Sequence, residues 1–72
     1  MSYNAERVLE YLKRNQDKDL TAKDLSIALN MDSRQIDGFF TSAFVRKGLG
    51  ERVPDGAKKY LKLTPEGMSY KP

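Results

Sequence analysis

Seventy-two residues hold one domain at most, because a core of that size buries barely enough apolar surface to offset the entropy of ordering the chain. The absence of cysteine and histidine excludes disulfides, thiolate metal sites and histidine-based catalysis, so packing alone must hold the fold. No apolar stretch approaches the roughly 20 residues that span a bilayer and no apolar signal core opens the chain, so a soluble, untargeted, cytoplasmic protein is expected.

The net charge of +3 is divided unevenly. Residues 1 to 32 carry five basic and six acidic groups, whereas residues 33 to 62 carry Arg34, Arg46, Lys47, Arg52, Lys58, Lys59 and Lys62 against Asp37, Glu51 and Asp55. A polyanion-binding face produces such an asymmetry.

Ala5, Val8, Leu9 and Leu12 recur at helical spacing with charged residues between them, which predicts an amphipathic helix over 4–14. A polar, aperiodic connection follows from Arg14 to Asp19. Thr21 and Asp24 then mark a helix start, and Ala22, Leu25, Ala28 and Leu29 supply its apolar stripe. Asn30 suits the left-handed C-cap, and Asp32 with Gln35 three positions on reads as the capping box of the next helix. That helix is predicted over 33–47, with Ile36, Phe39, Phe40, Ala43 and Phe44 inward and Arg34, Gln35, Asp37, Gly38, Thr41 and Ser42 outward; Lys47 and Gly48 end it. The period then changes. Leu49–Val53 and Tyr60–Leu63 read as strands joined by the turn Pro54-Asp55-Gly56-Ala57, and Thr64-Pro65-Glu66 opens fewer than two turns of helix.

The stretch Leu25-Ser26-Ile27-Ala28-Leu29-Asn30-Met31-Asp32-Ser33-Arg34-Gln35-Ile36-Asp37-Gly38-Phe39 resembles the helix-turn-helix of DNA-binding regulators. Downstream, Arg46-Lys47-Gly48-Leu49-Gly50-Glu51-Arg52-Val53 and Leu63-Thr64-Pro65-Glu66-Gly67 are similar to the flanks of the wing in winged-helix regulators of the multiple-antibiotic-resistance type and in the SOS-repressor N-terminal domain. The resemblance covers about residues 4 to 67 and implies an α+β winged helix: a three-helix bundle, a short strand between its first two helices, and a small antiparallel β-hairpin wing. The whole chain, 1–72, is expected as one such domain with flexible tails at 1–3 and 68–72.

The function implied is double-stranded DNA binding in a small transcriptional regulator, with the helix at 33–47 in the major groove and the wing at 54–59 on the backbone or minor groove. Arg34 suits guanine O6 and N7, and Gln35 suits adenine N6 and N7. Ser33 stands at a helix N-terminus, where phosphate is favoured. Gly38 costs up to about 1 kcal/mol in a helix relative to alanine, offset either by close approach to DNA or by a tight helix crossing. Thr41 and Ser42 continue the outward face, and Arg52, Lys58 and Lys59 are placed to track phosphates. Asp37 opposes that reading unless it pairs, and Arg34 is its expected partner.

With no base to activate a serine, no metal-loop spacing and no glycine-rich phosphate cradle, an enzyme is not expected, nor a metal, cofactor or small-molecule substrate. The alternative is a protein-interaction winged helix that docks on transcription or replication machinery through Phe40, Val45 or the wing. Single-stranded nucleic acid fits less well, since no aromatic platform lies on a sheet. A lone module buries only about 600 to 1,000 Å² on DNA, so tight operator binding calls for a homodimer, a tandem site or a larger protein partner.

Overall fold

The computed structural model describes residues 1–72. Helix α1, Tyr3–Arg14, starts where the Ser2 hydroxyl accepts from the Ala5 amide, and it buries Ala5, Val8, Leu9 and Leu12. Helix α2, Ala22–Leu29, has a closed capping box: Asp24 N–H donates to the Thr21 hydroxyl and Thr21 N–H to the Asp24 carboxylate. Asn30 ends it in the left-handed region at φ 54°. Of the stripe expected on α2 only Leu25 is fully buried; Ala22 and Leu29 are half-buried and Ala28 is exposed. A helix this short, packed between α1 and α3, has room for one deep knob.

Helix α3, Ser33–Phe39, is capped by Asp32, whose carboxylate accepts from Arg34 N–H at 2.7 Å. The expected box with Gln35 does not close, because that side chain is exposed and makes no bond to the cap. Nor does the helix continue as α to Lys47. It widens into a π-helical segment, Phe40–Val45, in which Arg46 N–H reaches back to the Thr41 carbonyl. Within it Phe44 lies over Phe40, with the rings stacked 4.9 Å apart at 15° and both fully buried. Phe39 is left half-buried at the edge of the core.

Strands β1, Gly50–Asp55, and β2, Lys58–Leu63, pair antiparallel from Gly50 opposite Leu63 to Asp55 opposite Lys58. They run further than the sequence pattern indicates, so the loop is only Gly56-Ala57, with Gly56 at φ 61° as the first central residue of a tight hairpin requires. Pro54 consequently lies within β1 opposite Lys59, which a sheet of two strands permits because each has a free edge. The short strand expected between α1 and α2 is reduced to one backbone bond, from Leu61 N–H to the Leu20 carbonyl at 2.8 Å.

Helix α4, Pro65–Ser69, closes the fold. Thr64 is its cap, accepting from Gly67 N–H while donating its hydroxyl to the Gly48 carbonyl at 2.6 Å. Gly67 packs so tightly on the Leu49 carbonyl that a side chain has no room there. Helical structure thus reaches both segments expected as tails, Tyr3 in α1 and Met68 and Ser69 in α4, and Tyr70 packs on the core with Lys13 donating to its carbonyl. No helix is long and apolar enough to cross a membrane.

The core gathers the four α1 residues with Leu25, Ile36, Phe40, Phe44, Leu49 and Leu61. Replacing Ile36 or Phe40 by alanine is expected to cost about 2 to 5 kcal/mol, most of the stability of so small a domain. Phe39→Ala should cost clearly less, and urea melts of the three variants check that order.

Candidate nucleic-acid interface

The start of α2, the start of α3 and the hairpin enclose an open groove of about 430 Å³. Thr21 and Lys23 line it from α2, Ser33 and Asp37 from α3, and Arg52, Lys58 and Lys59 from the hairpin. Four of the nine site residues expected from sequence, Ser33, Arg52, Lys58 and Lys59, therefore meet in one place. Lys23 joins them there unannounced; only a helix-turn-helix alignment that included the first turn of α2 would have drawn attention to it.

Arg34, Gln35, Gly38 and Ser42 are exposed on α3 and the π segment, and Thr41 is half-buried. Arg34 has no ion-pair partner. A Cβ built at Gly38 meets nothing within 4 Å, which eliminates a tight helix crossing as the reason for that glycine. The hydroxyls of Thr41 and Ser42 donate within their own helix, to the Asp37 carbonyl at 3.2 Å and the Gly38 carbonyl at 3.4 Å, so only their lone pairs remain for other groups. The widened segment therefore presents less free hydrogen-bonding capacity than the first turns of α3.

Asp37 pairs with Arg52, not with Arg34. One guanidinium nitrogen donates to the Asp37 carbonyl at 3.0 Å and lies 3.5 Å from its carboxylate, while the guanidinium carbon sits 5.4 Å from the centre of the Phe40 ring. Arg52 is thus a strut between β1 and α3, and its charge is partly compensated. Lys62 is committed in the same sense, bound to the Asp19 carboxylate and the Lys18 carbonyl. Lys58 and Lys59 are exposed without ion-pair partners. Phe40, proposed for protein docking on the alternative reading, is fully buried and offers no surface. No three acidic side chains converge to hold a metal ion.

The wing tip also reaches α2. The Thr21 backbone N–H holds the Asp24 carboxyl below its usual value against the opposing effect of burial, with smaller help from the Thr21 hydroxyl and the nearby charges of Lys58 and Lys23. A carboxyl lowered on folding stabilises the fold above its unfolded value and ceases to do so as pH falls through the folded one. Acid unfolding should therefore include a contribution from Asp24 below about pH 4; Asp24→Asn should flatten that part of the stability profile while leaving the rest unchanged. For the strut, Arg52→Ala should cost about 0.5 to 1.5 kcal/mol, combining an exposed ion pair with a cation over an aromatic face. Asp37→Asn, which keeps the carbonyl acceptor, should cost less, and amide exchange should quicken at residues 54–59 only in the arginine variant.

No protein-family model matches the sequence, and no curated protein matches it. Among solved structures, the chain is similar to MepR, a transcription regulator of the Staphylococcus aureus multidrug efflux pump MepA, with a TM-score of 0.86 and 26% identity. The match covers 94% of this chain and 50% of that one, so the chain spans about half the length of the MepR chain. Four helices, a two-stranded antiparallel hairpin and that likeness together identify the chain as a winged helix-turn-helix domain.

Proposed function

We propose that the chain binds double-stranded DNA as the reading module of a transcriptional regulator, with the first turns of α3 in the major groove and the wing on the backbone or minor groove. One observation carries this reading: the uncommitted cations Lys23, Lys58 and Lys59 line a single groove at the N-termini of α2 and α3, and Arg34 stands exposed beside it. The likeness to a transcription regulator supports it.

The roles follow from commitment. Arg34 and Gln35, exposed in the first turn of α3, read base edges; Gly38, with open space before it, lets the helix approach the duplex closely. Ser33, Lys58 and Lys59 hold phosphates. Thr41 and Ser42 act as acceptors only, and Arg52 positions the wing while offering its remaining N–H groups to the backbone. A second protomer or a tandem site would supply the area that one module lacks.

A titration with mixed-sequence duplex should shift amides of residues 32–42 and 55–59 and leave 5–12 nearly still; shifts confined to α1 would sink the docking mode. Arg34→Ala should cost about 1 to 3 kcal/mol on the preferred site and flatten the preference at that base. Replacing Lys58 and Lys59 together should weaken all sequences alike and lower the slope of log affinity against log salt by up to about 0.9 for each phosphate no longer neutralised. Folded variants that both keep wild-type affinity and salt slope would remove duplex DNA as the ligand of this face.

A further inference from the structure

Asp37 stands three residues beyond Arg34 on α3, on the flank turned toward β1, and 58% of its side chain is exposed. Arg52 fixes its direction. One guanidinium nitrogen donates to the Asp37 backbone carbonyl at 3.0 Å and lies 3.5 Å from the carboxylate Oδ1, while Oδ2 accepts no hydrogen bond within the chain. The next residue is Gly38, where even a Cβ would meet nothing within 4 Å, so the helix surface beside Oδ2 is open. A carboxylate alone would be repelled by a nucleic-acid backbone. With one oxygen matched to a cation, that repulsion is reduced and the second oxygen is left as a directed acceptor.

We infer that Asp37 is a specificity-determining residue whose Oδ2 accepts from the N4 amino group of a cytosine in the major groove, with Arg52 as the positioning residue that orients it. The inference rests on the placement of α3 in the major groove proposed above. Only cytosine N4 and adenine N6 offer a donor on that edge, whereas thymine O4 and guanine O6 and N7 are acceptors that a carboxylate avoids. Adenine sets its N7 acceptor beside the amino group, and N7 would repel the carboxylate. Cytosine has no acceptor of its own there, so it is the base selected. Residues three apart on a helix have Cβ atoms about 5 to 6 Å apart, and successive base pairs are stacked about 3.4 Å apart. The guanine proposed for Arg34 and the cytosine proposed for Asp37 therefore lie on one base pair or on adjoining ones.

The Arg52 contact gives the inference a sign. Asp37→Asn keeps an oxygen for the guanidinium and puts an amide NH2 where Oδ2 stood. A donor at that point suits thymine O4, so the substitution should exchange a preference for cytosine for one for thymine. A carboxylate that served only as counter-ion to Arg52 would steady the wing and treat all bases alike.

The test selects duplexes from a pool randomised over one helical turn, about 10 base pairs, with the wild-type chain and with Arg34→Ala, Asp37→Ala and Asp37→Asn. The wild type should enrich cytosine at one position within a step of the guanine whose enrichment Arg34→Ala abolishes. Asp37→Ala should lose that cytosine and keep the guanine, and Asp37→Asn should enrich thymine in its place. In the selected duplex, exchanging the cytosine for 2-pyrimidinone, which lacks only the amino group, should weaken the wild-type chain about five- to tenfold and leave Asp37→Ala unaffected. That measurement uses the wild-type fold, so it decides the matter even if a variant fails to fold. A 2-pyrimidinone duplex bound as tightly as its cytosine parent, or a base preference indifferent to both Asp37 substitutions, overturns the assignment. If the guanine that depends on Arg34 is still enriched in that case, the major-groove placement of α3 stands and only the role of Asp37 falls. A chain that enriches no sequence at all overturns both.

Discussion

The Phe40 ring is the point on which the wing and α3 are both indexed. It is fully buried and stacked on Phe44, and the guanidinium of Arg52 lies over it at 5.4 Å. Gly50, the first residue of β1, lies so close to its edge that a Cβ would stand 2.7 Å from the Phe40 Cζ. A two-stranded hairpin is at best marginally stable by itself in water. Here its root is pressed against an aromatic ring and its second strand is held by Leu61, whose side chain is buried and whose amide bonds Leu20. The groove exists because these interactions fix the angle between hairpin and helix.

The π segment carries both members of the stacked pair. Positions four apart share one face of a helix, so Phe44 is offered to Phe40 by the local backbone and held there by the core. Burying a large side chain contributes about 1.5 to 3 kcal/mol, and a stacked aromatic pair adds about 0.5 to 1.5 kcal/mol, so this pair anchors the segment in the core. The widened turn also limits the outward face, since Thr41 and Ser42 turn their hydroxyl protons inward to Asp37 and Gly38. Chemistry available to a ligand is concentrated where α3 begins.

What could be read from the sequence was what neighbours along the chain decide. Thr21, Asn30 and Asp32 announced the ends of helices, and each acts through atoms no more than five residues away. The motif Leu63-Thr64-Pro65-Glu66-Gly67 was recognisable by resemblance, and its reason is spatial: Thr64 bonds Gly48 across the hairpin and Gly67 admits the Leu49 carbonyl. What could not be read was decided at long range. Helical spacing alone puts Phe39 and Phe40 both inward, and only the hairpin lying over Phe40 makes it the central one. Asp37 had an obvious partner one turn away in Arg34, yet Arg52, fifteen positions on, arrives from β1 and takes it. The clustering of Ser33, Lys58 and Lys59 with Lys23 is likewise a product of tertiary placement.

Asp37 shows how a residue that opposes the proposed ligand can be accommodated. Two unit charges 3.5 Å apart attract by about 1 to 5 kcal/mol for effective dielectric constants between 80 and 20, but desolvation and ordering reduce an exposed pair to about 1 kcal/mol or less. The pair is therefore not a significant source of stability. Its effect lies in position: the carboxylate is matched to a cation that is itself held by a backbone carbonyl and an aromatic face, so neither charge is free to swing into the groove. With Asp37 and Arg52 offsetting each other, the positive charge left at the groove comes from Lys23, Arg34, Lys58 and Lys59, set against the exposed carboxylates of Asp24, Asp32 and Asp55. The basic face thus arises less from the modest excess of positive residues than from which of them the fold leaves without a partner.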